Sequence, residues 1–404
     1  MTRVTGSQAE PTLTDVPALR IAPPAFFAEA GLAAVLAALP EARVVGGAVR
    51  DTLGGRPIAE IDLATPRTPE DVGNALQNAG LRAVPTGVDH GTVTAVAAGK
   101  GFEITTLRRD VETDGRHAVV AFTNDWRADA GRRDFTINAM SMTRTGEIFD
   151  YFGGVTDLHA GLVRFVGDPS MRIAEDYLRI LRYFRFFAHF DRADPAALTA
   201  IRAGAPGLAR LSVERIWSEL QRILAAPDPS RAVALMAELG VLAVVLPEGA
   251  DPNRHARLIA AGAPIDPILR LAALLTGDAA ALATRLRLSA ADRDRLAALQ
   301  HGPTPHRDDD DAALRRLLAD EPAELLIDRA WLADDVAPGS AALRARLGAM
   351  PRPVFPLEGG DVLALGEPEG RRVGELLRAV RKWWLDGGCV ADKEACRAEL
   401  LRRM

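Results

Sequence analysis

The sequence predicts an α+β protein: a small mixed head of strands and helices, followed by an all-helical neck, body and tail. Three observations predict it. Alternating apolar stretches punctuated by glycine are confined to residues 26–158. Ala, Leu and Arg at helical spacing fill residues 172–225, 230–300, 311–348 and 370–402. The chain has 404 residues, 48% of them hydrophobic, which is too long for one ordinary domain and ample for several cores.

The elements follow in order. Residues 1–25 read as a polar, flexible leader with no apolar signal core. Phe26 to Leu39 reads as an Ala/Leu-rich helix stopped by Pro40. ARVVGGAVRD (42–51) reads as strand, glycine turn and helix start, and EIDLAT (60–65) as a second strand. EDVGNALQNAG is a helix with Gly80 near its end. HGTVTAVAAGKGFEITTLRRD is a hairpin with Gly99 and Gly101 in its turn. GEIFDYFGGVTDLHAG is another strand followed by a turn. The boundaries drawn from this pattern are a head over 26–158, a neck over 159–225, a body over 226–345 and a tail over 346–404. The acid run in HGPTPHRDDDD (301–311) marks an exposed loop and a solvated helix start.

Composition narrows the function. The net charge of −5 excludes a global basic field, so any nucleic-acid surface must be local. Cys389 and Cys396, seven apart, are expected on one helix face, and their scarcity points to a reducing cytoplasm. No apolar run is long enough to span a bilayer.

The chemistry concentrates in GGAVRDTLGGRPIAEIDLAT (46–65). Gly46 and Gly47 let backbone approach a phosphate where a Cβ would collide. Arg50 and Asp51 follow at the helix start. Glu60 and Asp62, at i and i+2 of an expected strand, present two carboxylates on one face. Carboxylates that close repel unless a cation lies between them, and Mg²⁺ is the usual cation where phosphates are handled. Taken alone, E-I-D is an ordinary strand with two solvent-facing acids. Glu103, in FEITTLR, is either a third carboxylate on that face or a plain solvent-facing acid. The spacing fits neither a Walker loop nor a dinucleotide fingerprint.

GG-x-V-R-D followed by an acid-x-acid strand resembles the first signature of the class II tRNA nucleotidyltransferases and bacterial poly(A) polymerases, within the polymerase β superfamily. Four further signatures resemble that family's in order: RRDFTINAM (132–140), DYFGGVTDL (150–158), EDYLRILRYFRF (175–186) and SVERIWSEL (212–220). The match spans residues 40–225. The resemblance implies a polymerase β-like nucleotidyltransferase head and addition of C, C and A to the 3′ end of tRNA from CTP and ATP. Two Mg²⁺ ions are implied on Glu60 and Asp62. The family usually has Asp where this chain has Glu60, a departure that bears on rate more than on the reaction.

By the same resemblance Arg132 and Arg133 grip the triphosphate, Asp134 meets the ribose, and Asn138 positions the turn. On their own, these residues also fit a surface salt-bridge cluster. Asp176 and Arg179, three apart on an expected helix, offer an acceptor and a donor to a base edge. Cytosine and adenine both carry an exocyclic amine for the acid; uracil and guanine place a carbonyl there. An ordinary ion pair is the competing reading. Arg182 and Arg185 support the pair or meet RNA, while Tyr177, Leu178, Ile180, Leu181 and Phe184 read as core. Gly153 and Gly154 are implied to form a hinge, and SVERIWSEL to brace the reading helix, with Ser212 as N-cap. RRDVETDGRHAVVAF (108–122) matches the flexible loop that lets the family's enzymes switch from C to A.

RNA is expected along the helical region, with Arg371, Arg372, Arg378, Arg381 and Lys382 as a basic face and Trp383 and Trp384 as core. Two rivals stand beside this reading: a poly(A) polymerase, which usually carries a GRRF-like stretch absent from VPTGVDHGTVTAV, and a non-catalytic RNA-binding relative, suggested by Glu60. A phosphohydrolase domain is disfavoured, because the histidines after residue 160 include no adjacent His-Asp pair. The oligomeric state is not legible.

Overall fold

A computed structural model describes residues 15–87, 91–113, 118–190, 192–333 and 339–404. Among the described residues, ten strands lie between Leu19 and Asp150 in chain order: β1 (Leu19–Arg20), β2 (Arg43–Val45), β3 (Asp62–Thr65), β4 (Arg82–Gly87), β5 (Thr92–Ala97), β6 (Lys100–Thr106), β7 (Arg108–Thr113), β8 (Ala118–Phe122), β9 (Met140–Met142) and β10 (Glu147–Asp150). Eight form one sheet in the order β1-β10-β9-β2-β3-β6-β5-β4, and β7 and β8 form a separate pair. Every neighbour is antiparallel except β3 with β6, which run parallel with Leu63 beside Ile104. β5 reads TVTAVA and its side chains alternate between half-buried and buried, as a period of two requires. The β5–β6 turn is two residues, Ala98 and Gly99, both at positive φ (49° and 76°). That geometry matches the right-handed twist of the strands. Gly101 lies inside β6 rather than in the turn.

Helices follow local signals. α1 (Ala30–Ala38) is separated at Glu29 from a short 3₁₀ turn (Ala25–Ala28), so the expected Phe26–Leu39 helix is two pieces. α2 (Gly47–Leu53) starts on Gly46. α3 (Pro69–Asn78) has Pro69 at its first position and Thr68 accepting from the Asp71 N–H, and Gly80 follows it at φ 73°. α4 (Trp126–Gly131), α5 (Gly154–His159), α6 (Pro169–Glu175) and α7 (Leu178–Phe187) complete the site's framework. Part of the expected leader is ordered: β1 pairs with β10 at the sheet edge, and Asp15 bonds both Tyr151 and Arg43.

α7 buries Leu178, Ile180, Leu181, Tyr183, Phe184, Phe186 and Phe187. Phe135 packs with Phe165, Tyr183 and Phe186 at centroid distances of 4.9, 6.1 and 5.3 Å, in tilted and edge-on geometries. These aromatic contacts fix α7 to the turn that carries RRDF.

Packing divides the chain into two units. One ends at Leu211 and takes in Leu239–Val241; the other comprises Ser212–Glu238 and Leu242–Met404. Among the described residues the second contains helices and no named strand. Its helix Val213–Leu224 begins after Ser212, which occupies the N-cap position without making a side-chain cap bond. Buried Arg270 donates to the carbonyls of Leu224, Ala226 and Pro227 at 2.5–3.2 Å, answering the orphan acceptors at that helix's end. Asp310 caps helix Asp311–Asp320, so the acid run is a helix start as read. Cys389 sits beyond helix Arg371–Asp386 at φ 60°, while Cys396 lies in the last helix, Lys393–Arg403. The expectation of one shared helix face is therefore corrected: the chain turns at Gly387–Gly388, and both thiols are free and buried in one core with Trp384. Among the described residues no helix is long and apolar enough to cross a membrane.

Candidate active site

The glycine turn is built as read. Gly46 sits at φ 69°, ψ −127°, between β2 and α2, in a region that L side chains avoid. A Cβ there would lie 3.1 Å from Arg133 Nη1. The turn, the helix start and the RRD segment therefore meet at one point.

The carboxylates occupy an adjacent cleft of about 610 Å³, lined by Glu60, Asp62, Glu103, Glu29, Phe26 and Lys100 among others. β3 begins at Asp62, so Glu60 lies in the irregular segment before it and not in the strand. Both acids still open onto the cleft. The parallel register, with Leu63 beside Ile104, places Asp62 next to Glu103 on one face. Burial pushes the Asp62 carboxyl above its ordinary range, and Glu103 and Glu60 push it further; Arg133 pulls it back. Lys100 is ion-paired with Glu29 at 2.7 Å.

Among the described residues, no three His, Cys, Asp or Glu side chains are gathered closely enough to hold a metal unaided. An all-carboxylate set that repels itself fits a hard divalent cation that brings phosphate and water ligands with it.

Arg132 and Arg133 close α4 and are held by an acid that sequence reading passed over. Asp129, 3% exposed, accepts from Arg132 Nε and Nη2 at 2.9 Å and from Arg133 Nη2 at 3.2 Å. It also accepts from the backbone N–H of Arg108 at 3.2 Å. Burial raises its pKa, but the two guanidinium groups and these bonds outweigh burial and hold it below the carboxylate range. The signal was available: Asp129 stands three and four residues before the arginines, the helical spacing for ion pairs.

Asp134 is 8% exposed and anchors a second chain of bonds. Its Oδ1 accepts from the Phe135 N–H (2.9 Å) and Asn138 Nδ2 (3.0 Å), and its Oδ2 from Arg182 Nε (2.7 Å). Asn138 Oδ1 in turn accepts from Arg50 Nη1 at 2.7 Å, and Arg50 grips Asp51 through Nε (2.9 Å) and Nη2 (2.8 Å). Arg50, Arg182 and Arg185 all lie over the Phe186 ring at 4.7–5.9 Å. So Arg50, Asn138 and Arg182 are gathered around Asp134 and α2.

The expected single helix over EDYLRILRYFRF is broken. α6 ends at Glu175; Asp176 is extended (φ −155°, ψ 108°) and accepts from the Leu178 N–H at 3.0 Å, opening α7. A short polar side chain that bonds backbone two residues on favours such a break. Arg179 bonds Glu175, donates to the Arg172 carbonyl (2.8 Å) and reaches the Arg132 carbonyl (3.3 Å). It is thus tied to the RRD segment. Tyr177 is half-buried and packs on Gly207, where a Cβ would collide with its ring.

DYFGGVTDL docks tightly. Gly153 is left-handed (φ 79°), Asp150 accepts from the N–H groups of Gly154 and Val155 at 2.9 Å, and a Cβ on Gly154 would collide with the Thr136 carbonyl. Thr136 Oγ1 donates to Asp157 at 2.7 Å. The segment 108–122 is not an irregular loop in its described part. β7 and β8 form an antiparallel hairpin with a register shift between Asp110 and Glu112; residues 114–117 lie outside the described residues.

Helix Arg371–Asp386 exposes Arg371, Arg372, Arg378 and Lys382. Arg371 pairs with Glu375 (2.9 Å), Arg372 with Glu367 (3.2 Å), and Arg381 with Asp320. Trp384 is buried and Trp383 half-buried, so both belong to the core side.

A sheet of this order, with a glycine turn facing paired arginines and carboxylates on neighbouring parallel strands, defines a nucleotidyltransferase head. Residues 42–164 match the family model described as "Poly A polymerase head domain", and residues 192–251 the one described as "Probable RNA and SrmB- binding site of polymerase A". The chain is similar to "CCA tRNA nucleotidyltransferase 1, mitochondrial" of Mus musculus, 37% identical over 378 residues, covering 88% of this chain and 85% of that protein. The protein of the same name from Danio rerio is 38% identical over 377 residues, covering 85% and 83%. The Bacillus stearothermophilus CCA-adding enzyme in complex with CTP superimposes with a TM-score of 0.74 at 29% identity, covering 94% of this chain and 98% of that one. The chain belongs to the class II CCA tRNA nucleotidyltransferases.

Proposed function

We propose that this chain adds C, C and A to the 3′ end of tRNA without a template, from CTP and ATP, releasing pyrophosphate. The observation that carries it is the meeting of Glu60, Asp62 and Glu103 on one cleft beside the Gly46 turn and Arg133. The donor set fits Mg²⁺, which when bound neutralises phosphate charge and lowers the pKa of the attacking hydroxyl. Glu60 and Asp62 would hold it, with Glu103 beside them.

The chain's own residues do the rest. Gly46 and Gly47 leave room for the triphosphate, and Arg132 and Arg133, preset by Asp129, orient it. Asp134, held by Arg182 and Asn138, is the residue the family resemblance assigns to the ribose. Asp176 accepts from the exocyclic amine shared by cytosine and adenine, and Arg179 donates to the neighbouring ring acceptor. Arg179 is clamped to Glu175 and to backbone, which supports a fixed donor pattern and hence selection of CTP and ATP over UTP and GTP. Arg185, Arg371, Arg372, Arg378 and Lys382 are the proposed RNA contacts, the last four on one exposed helix. The division into head, neck, body and tail, and a cytoplasmic setting, belong to the same reading.

The test is primer extension on tRNA transcripts ending at the discriminator base, after the first C and after the second, with CTP, ATP or both plus Mg²⁺, followed by 3′-end sequencing. Addition that stops at CCA supports the proposal. A long A tail replaces it with poly(A) polymerase, and CC alone removes the A step. No incorporation by the wild type or by Glu60→Asp rejects the enzymatic reading.

A further inference from the structure

Asp129 bonds both arginines of the RRD segment and the first residue of β7. Its Oδ1 is shared between Arg132 and the backbone N–H of Arg108, the first residue of β7; its Oδ2 takes Arg133. A buried acceptor shared this way couples its donors: displacing one changes the bonds available to the other.

The hairpin's feet are bolted to the same place. The Leu107 N–H donates to the Thr65 carbonyl at 2.8 Å, and the Thr123 N–H to the Leu107 carbonyl at 2.9 Å. Leu107 is fully buried with Val45, which precedes the glycine turn, and Ala64, two residues beyond Asp62. Trp126, the first residue of α4, packs on that cluster. Arg133 then reaches the Gly46 turn. The hairpin base, the start of α4, the arginine pair and the glycine turn are therefore mechanically continuous, and Asp129 is the polar joint.

We propose that Asp129 is a positioning residue for the incoming nucleotide: it sets the orientation of Arg132 and Arg133 and ties that orientation to the base of the β7–β8 hairpin. It does not touch substrate itself. This inference rests on the proposed nucleotidyl transfer, and it assigns a nucleotide-binding consequence to a residue outside the family's signatures as quoted above. Asp129→Asn keeps the shape but removes the charge, and its amide nitrogen cannot accept from a guanidinium. Losing one or two charge-assisted bonds corresponds to about 10- to 100-fold in affinity.

The experiment measures CTP and ATP binding by titration calorimetry without RNA, and KM for CTP, ATP and tRNA, in wild type, Asp129→Asn and Asp129→Glu. The expected result is a rise of about 10- to 100-fold in nucleotide Kd and KM for Asp129→Asn, with KM for tRNA within about twofold. Asp129→Glu, which restores the charge one methylene away, should recover part of the loss. A purely structural role would lower the melting temperature and the active fraction without splitting the two KM values. If Asp129→Asn does not fold, Asp129→Glu carries the test through the same split. Nucleotide Kd and KM unchanged in folded variants of an active enzyme overturn this inference alone. A wild type that incorporates neither nucleotide overturns the proposed function and this inference with it.

Discussion

Replacing Arg182 by Met tests whether Asp134 is held in place by its partners or by its fold. Asp134 is 8% exposed, and Arg182 supplies both donors recorded on its Oδ2, at 2.5 and 2.7 Å. Removing one member of a buried pair costs about 3–5 kcal/mol, because the other charge is left uncompensated. The Arg182 side chain is 31% exposed, and Asn138 and the Phe135 N–H still serve Oδ1. Water and those two bonds reduce the figure to about 2–3 kcal/mol. In a unit of this size that is a fall of about 5–10 °C in the first melting transition. The sign with pH follows from the depressed carboxyl. Burial raises the Asp134 pKa, but Arg182 and the bonds from Asn138 and Phe135 outweigh it, so the folded value lies below the ordinary one. The pair's contribution is complete above about pH 4 and is lost as pH falls through the folded value. The gap between wild type and Arg182→Met should therefore be widest near neutrality and close below about pH 4. Calorimetric melting across pH 3–8 measures it, together with Asp134→Asn and the double variant, which should melt above Arg182→Met because no unpaired charge remains. A melting temperature within about 2 °C of wild type at pH 7, or a gap independent of pH, would refute the reasoning.

Three further outcomes are expected. Gly46→Ala forces a side chain into φ 69° and 3.1 Å from Arg133 Nη1, so it should raise nucleotide KM by about tenfold or more while costing about 1–3 kcal/mol of stability; kinetics and melting on the same preparation check both. Glu60→Gln and Asp62→Asn should each lower kcat by at least about 10²-fold at saturating Mg²⁺, and Glu60→Asp should retain addition with a shifted Mg²⁺ dependence; single-turnover rates against Mg²⁺ concentration decide. Gly154→Ala has no room beside the Thr136 carbonyl and should destabilise the first unit by about 1–3 kcal/mol, which thermal melting reads directly.

How much of this was legible depends on whether the chemistry is local. The glycine turn, the alternating pattern of β5, the helix that ends near Gly80, and the acid run that opens a helix are read correctly because each is set within four residues. The interruption at Asp176 went unread because the apolar spacing continues across it; only the Asp176 bond to Leu178 marks the break. Asp129 could have been found, since its partners stand at helical spacing, but no pattern announces its third bond to Arg108, 21 residues earlier.

By itself, the sequence determined the signatures, their order, the α+β head before a helical region, and the residue types available for phosphate, ribose and base. Only the tertiary structure decided which of them meet. Glu103 joins Asp62 because β3 and β6 run parallel with Leu63 beside Ile104, a register that no local preference encodes. Arg182 reaches Asp134 from 48 residues away because the Phe135, Phe165 and Tyr183 rings seat α7 on that turn. Local hydrogen bonds choose the elements; long-range burial chooses their neighbours, and the site lies where those neighbours' charged ends come together.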